Sequence, residues 1–298
     1  MATVLLISAV LAQVAVVLLA RAAGRRNIDP CQILTLTGVI AGLATAGAAV
    51  VALGGPAAIG STLDGQVLSV ALFTAVAGAV GTLFYFEALK RGPAGTVATL
   101  TGLQVLVPIL FSVLLWDDRL TLIQSVGAAL AAAAMFMVQS AASGTPDNPQ
   151  AGNAGSASVR PWKLLTLAGM LLLGLTNAAF KYKEVNCSGT PTLVFLALYF
   201  GLASAVMGAV LLVRRQRIPG AVLPFAAAMG LTVIVANGGT LMALKDLPAT
   251  VVYLAALAGP PVLVVVISIA FLGERYGRRV QAAIAAGLAG IAMMVGGK

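Results

Sequence analysis

The chain has 298 residues, 60% of them hydrophobic and only 9% charged, with 18 Lys/Arg against nine Asp/Glu and no histidine. A soluble domain carries about 25% charged residues, so too little polar surface exists here to cover a water-facing globule, and at ~20 apolar residues per crossing the chain has material for about ten membrane spans. Lack of histidine removes the commonest metal ligand and every Ser-His-Asp or Cys-His mechanism, and the net charge of +9 is scattered through short loops rather than gathered on a face suited to nucleic acid.

Apolar runs broken by charges and Gly/Pro turns predict spans over 3–20, 31–53, 66–89, 94–115, 122–142, 162–180, 190–213, 220–244, 249–272 and 278–296. The first is not a cleavable signal, because no basic segment precedes it and Arg21, Arg25 and Arg26 follow it. It carries Gln13. After the second span, Gly54 to Gly65 reads as a loop without cations. The third span holds Thr82 and Glu87, the one acid expected inside a span; the other eight are expected in loops or at helix ends. That distribution leaves no carboxylate cluster for a metal or for general acid–base work, so neither a cofactor nor an enzyme activity is expected.

The fourth span contains Gln104 and, midway, Pro108. The fifth and tenth carry small residues at helical spacing, Gly127, Ala131 and Ala134, then Ala283, Gly287 and Gly290, which read as packing or dimer faces. Residues 143–161 are rich in Gly, Ser, Ala, Asn and Pro and read as a flexible tether between halves at 1–142 and 162–298. Span 6 brings Asn177 and Lys181, span 7 Tyr199 and Ser204, span 8 Asn237, and span 9 Tyr253 with Gly259-Pro260-Pro261. Cys31 and Cys187 follow spans 1 and 6, hence lie on opposite membrane faces and cannot pair within one molecule.

The halves repeat each other. Ala88-Leu89-Lys90 and Pro93-Ala94 recur as Ala243-Leu244-Lys245 and Pro248-Ala249. Five spans per half is an odd number, so the second half enters the membrane from the opposite side, which makes an inverted repeat. This architecture belongs to secondary transporters, whose site lies near the midplane between the halves. The fold class expected is therefore all-α integral membrane, ten transmembrane helices as two five-helix inverted repeats. Thirteen of the 18 basic residues follow odd-numbered spans, which places those loops in the cytoplasm and both termini outside.

The stretches from Phe84 to Gln124 and from Leu241 to Gly277 resemble the EamA-type repeat of the drug/metabolite transporter superfamily. The second copy holds the pattern's Ala-Leu, basic residue, Pro-bearing helix and Leu272-Gly273-Glu274-Arg275 end; the first departs at Trp116-Asp117-Asp118-Arg119. The resemblance implies a bacterial inner (plasma) membrane carrier whose spans 1, 3, 4, 6, 8 and 9 line the cavity. Similar members export amino acids and other metabolites, or carry nucleotide sugars, sugar phosphates or amines. Ten-span relatives usually keep both termini in the cytoplasm, against the charge count here.

Paired prolines in corresponding halves point to a transport site, since each should free backbone carbonyls one turn earlier, near Gln104 and near Tyr253 to Leu257. Packing kinks would give the same sequence. Gln13, Thr82, Gln104, Asn177, Tyr199, Asn237 and Tyr253 are the candidate substrate contacts; a purely structural role would make them interhelical hydrogen bonds or interfacial anchors. Glu87 is the coupling candidate, or else an interfacial partner of Lys90. Pro108, Gly259, Pro260 and Pro261 are the gating candidates. Lys181 either meets a substrate carboxylate or snorkels to the interface. The function expected is a secondary transporter of a small polar or amphipathic metabolite, an amino acid exporter in the first instance. An amine or drug exporter and a non-transporting membrane subunit are the alternatives. Partners expected are the small-molecule substrate and the lipid bilayer, with no nucleic acid, and the assembly a monomer or homodimer.

Overall fold

Capping chemistry sets where several helices begin. Asp29 accepts from the Cys31 N–H at 2.7 Å with Pro30 at the first helical position, and Asp64 accepts from the Val67 N–H at 2.7 Å. Thr121 and Gln124 form a capping box, each side chain accepting from the other's backbone N–H at 3.2 and 3.1 Å. The computed structural model describes the chain except residues 27, 92–96, 98–99, 118–120, 143–160, 261–262, 265, 268–277 and 297–298. Among the described residues all regular structure is helical. In order come α1 (Ala2–Arg25), α2 (Pro30–Leu53), α3 (Pro56–Gly60), α4 (Gly65–Arg91), a 3₁₀ turn (Leu103–Val105), α5 (Leu106–Trp116), α6 (Leu122–Ala142) and α7 (Pro161–Asn186). Then follow α8 (Thr192–Val213), a second 3₁₀ turn (Gly220–Val222), α9 (Leu223–Asp246), α10 (Ala249–Tyr253), a π-helical segment (Leu254–Ala258) and α11 (Arg278–Gly296).

Among the described residues six helices are long and apolar enough to cross a membrane: Ala2–Gly24, Pro30–Leu53, Gly65–Leu89, Pro161–Asn186, Thr192–Val213 and Gly220–Asp246. The expected fourth, fifth and tenth spans correspond to shorter described apolar helices, Leu100–Trp116, Leu122–Ala134 and Gln281–Gly290. The expected ninth is interrupted, and much of its second half lies outside the described residues. The segment from Gly54 to Gly65 is not a plain loop. Gly54, at φ 76°, ends α2, and Pro56 opens the one-turn helix α3.

Packing divides the chain into two compact units that cut across the sequence halves. Unit 1 takes Met1–Ala79 and Leu175–Leu247; unit 2 takes Val80–Gly174 and Pro248–Lys298. The tether, apart from Pro161, lies outside the described residues. In unit 1, α1 packs along α9, and α2 along both α8 and α9. Lipid offers helices no hydrophobic drive to associate, so small residues that let backbones approach supply the packing. A Cβ at Gly239 of α9 would stand 2.8 Å from the Leu5 carbonyl oxygen of α1, and one at Gly38 of α2 would meet the Ser204 Cβ of α8 at 2.8 Å. One end of this unit closes on Ala23, Ile33, Val222, Ala226 and Met229, with the Arg26 guanidinium over the Phe225 ring.

In unit 2, α6 packs along α11, with Gly127, Ala134, Ala283, Gly287 and Gly290 buried. The small-residue faces of the expected fifth and tenth spans therefore serve helix packing. The Ala131 side chain lies outside the described set. Gly169 of α7 approaches the Gly81 carbonyl of α4, where a Cβ would stand 3.1 Å away, and Ala88, Val97 and Trp162 form a small core beside it.

Candidate functional site

Proline removes one backbone N–H and its ring clashes with the carbonyl four residues earlier, so Pro108 acts on Gln104 and Pro260 on Ala256. The backbone departs from α geometry at both places, in opposite senses. Before Pro108 the chain tightens into the 3₁₀ turn Leu103–Val105, where the Leu106 N–H donates to the Leu103 carbonyl. Before Pro260 it widens into the π-helical segment Leu254–Ala258. Tightening and widening are two ways for a helix to accommodate a missing bond.

Both irregular segments belong to unit 2 and lie against each other, with α10 packed on α5. Pro108, Gly259 and Pro260 are buried there; Pro261 lies outside the described residues. The Gln104 carbonyl is pressed against α7. A Cβ on Gly174 would stand 2.9 Å from that oxygen and 2.5 Å from the Val107 Cβ. Only a residue without a side chain fits between α7 and the broken helix. Tyr253, at the junction of α10 and the π segment, has no solvent exposure and is not an interfacial anchor.

The remaining sequence candidates divide between the units. Thr82 is half-buried on α4 in unit 2, as is Gln104 in its turn. Gln13, Asn177, Tyr199 and Asn237 are half-buried in unit 1, on α1, α7, α8 and α9 respectively. Tyr199 belongs to an aromatic cluster, edge-on to Phe180 at 5.4 Å and tilted against Phe200 at 5.0 Å. Phe180 in turn meets Phe195 edge-on at 6.2 Å. Glu87, near the end of α4, pairs with Arg91 at 3.4 Å, one turn on; the Lys90 side chain lies outside the described set.

An ionic cluster that sequence reasoning passed over sits at the C-terminal end of α7. Lys183 is fully buried and donates to the Glu184 carboxylate at 2.8 Å; its ammonium also lies 5.8 Å from the Phe195 ring. The second carboxylate oxygen of Glu184 is buried without a hydrogen bond, and Lys245 at the end of α9 stands 3.8 Å from it. Lys181 is buried too, not extended to the surface. Just beyond the helix, burial pushes the Cys187 thiol up in pKa; the Asp64 carboxylate adds to the shift and Lys183 opposes it. The Lys-Tyr-Lys-Glu string was visible as a charged helix end, but nothing in it says that the charges turn inward.

Among the described residues no His/Cys/Asp/Glu group could hold a metal ion. The EamA-like transporter family matches residues 1–140 and 160–296, nearly the whole chain in two halves. The chain belongs to the EamA-like transporter family. It is thus a multi-pass membrane protein of the drug/metabolite transporter superfamily, whose EamA members are transporters and not enzymes. Twenty-nine chains of solved structures match. One, described only as a crystal structure of a protein, has 20% identity and a TM-score of 0.76, and the match covers 98% of this chain and 96% of that one. At that identity the likeness establishes the fold shared with this EamA protein and nothing finer. Among curated proteins none matches.

Proposed function

We propose that this EamA protein is a secondary transporter that moves a small polar or amphipathic metabolite, an amino acid foremost, by alternating access. Ten spans form two inverted five-helix repeats in a bacterial inner membrane, and spans 1, 3, 4, 6, 8 and 9 line the path. The observation that carries the reading is the meeting, within unit 2, of two proline-broken helices, one from each sequence half. Irregular backbone at membrane depth is tolerated only where protein or a watered cavity receives its polar groups, and corresponding breaks in the two halves are the usual mark of a transport site. The absence of a GxxxxGK[ST] motif in the chain leaves facilitation, exchange or ion coupling as the driving mode. Glu87 is the coupling group in this reading, and Gln13, Thr82, Gln104, Asn177, Tyr199, Asn237 and Tyr253 supply substrate contacts.

Counterflow in liposomes loaded with an unlabelled amino acid tests this. Saturable uptake of the labelled amino acid is expected, slower in Pro108→Ala and Pro260→Ala with folding retained. Counterflow restricted to amines would move the substrate class, and no counterflow with any solute would leave a membrane subunit without carrier activity. Unchanged rates in both well-folded variants would reduce the breaks to packing features.

A further inference from the structure

A groove of about 420 Å³ opens in unit 1 between α2 and α8, at the end of α8 that carries arginines. Thr35, Gly208, Leu211, Leu212, Gln216 and Ile218 are among its walls. The single hydroxyl there is already committed, because Thr35 donates to the Cys31 carbonyl at 2.7 Å, so apart from the Gln216 amide the wall is apolar. Leu212 and Val213 beside it are more than three-quarters exposed, as expected of side chains facing lipid.

The rim is basic and ordered. Arg214, Arg215 and Arg217 are exposed and stand within four residues of one another. The backbone beneath them is fixed by a Schellman cap: the Gln216 N–H donates to the Leu211 carbonyl and the Arg215 N–H to the Leu212 carbonyl, with Arg215 left-handed at φ 51°. Gln32 of α2 holds the Arg217 carbonyl at 2.9 Å, and Arg214 reaches the Cys31 sulfur at 3.9 Å. Asp29, the acid at this end of α2, has one oxygen engaged by the Cys31 N–H. Three cations thus stand on the segment that supplies the wall residues Gln216 and Ile218, at the end of a membrane helix.

We infer that this groove seats one acyl chain of an anionic phospholipid, with its phosphate against Arg214 and Arg217. An apolar slot alone would take any acyl chain; the cationic rim selects the headgroup. Gly208 supplies the depth. A Cβ there would meet nothing nearer than the Thr35 methyl at 3.8 Å, so a side chain can start at 208 without a clash and occupy groove volume.

The test places a reporter at the mouth, Ile218→Trp, in the full-length protein reconstituted with lipids brominated along the chain; the parent's Trp116 and Trp162 provide the signal to subtract. Brominated phosphatidylglycerol should quench the new Trp severalfold more strongly at equal mole fraction than brominated phosphatidylcholine, and high salt should weaken that preference. Gly208→Phe should abolish it, and so should the pair Arg214→Gln/Arg217→Gln. Equal quenching by the two headgroups in Ile218→Trp itself would overturn the inference whatever the variants do. So would a preference that survives Gly208→Phe, or quenching relieved by a solute active in counterflow, which would give the groove to cargo.

Discussion

Unit 1 is framed by α1, α2, α8 and α9, each an uninterrupted helix of 22 to 24 residues. Unit 2, drawn from the same two sequence halves, holds an 11-residue α5 preceded by a 3₁₀ turn and a five-residue α10 followed by a π segment. A regular helix satisfies its own backbone and can face lipid directly. A broken one must have its loose carbonyls received by neighbours. The contrast separates the two units: one supplies straight members closely joined at small residues, and the other concentrates the irregular backbone. The straight unit also hides a buried ion pair, so its regularity does not mean that it is built from apolar contacts alone.

The largest expected effect bears on that last point. Lys183→Met leaves Glu184 buried with only the more distant Lys245, and breaking a buried pair from one side destabilises by ~3–5 kcal/mol. Thermal unfolding in detergent should show a lower midpoint, largely restored in Lys183→Met/Glu184→Gln. A neutral Lys183→Met would mean that unit 1 does not depend on this cluster. Next comes Gly174→Ala, which drives a Cβ into Val107 and the Gln104 carbonyl and should destabilise by about 1–3 kcal/mol. Its control in unit 1 is Gly201→Ala, where nothing lies within 4 Å and helix propensity favours Ala by up to ~1 kcal/mol. Equal effects at the two sites would erase the distinction between tightly received broken backbone and open regular backbone.

Thr121→Ala removes one arm of the capping box of α6 and should lower stability by about 1 kcal/mol, seen as the same midpoint shift at smaller size. The smallest effect is chemical. With its thiol pKa raised, Cys187 presents less thiolate at neutral pH than a free cysteine, so maleimide labelling should be slow and should keep accelerating above the pH where a free thiol levels off. Asp64→Asn, which removes one raising charge, should shift that rise to lower pH, and Lys183→Met should shift it higher.

Much of the frame was legible in the residues. Apolar runs between charges located the six long helices, with ends off by up to six residues where charged residues continue the helix, as in Pro161–Asn186 against the expected 162–180. Pro108 and Pro260 marked where the helices break, since the missing N–H is a property of the residue itself. What the breaks become was not legible: Gln104 lies in a tight turn and Leu254 in a wide one, and the neighbours decide which. The turn at Pro56–Gly60 was missed because a single helical turn has no period to detect. Lys183 and Glu184 read as helix-end charges, and their burial depends on α8 and α9, which sequence spacing does not bring to them. The units themselves were invisible for the same reason, as they follow helix pairing rather than chain order.

That pairing sets a timetable for synthesis. The chief partner of α1 is α9, and α2 packs on α8 and α9, so α1 waits for about two hundred residues more to be made and α2 for about 160. At roughly 5–20 residues per second, α1 and α2 wait on the order of ten to forty seconds in the bilayer with the faces that later meet α8 and α9 uncovered. During that interval the nascent chain is open to wrong neighbours and to membrane proteases. A ribosome that stalls within the tether, at residues 143–160, would strand a first half lacking every one of those later partners, and quality control would meet it as an orphan.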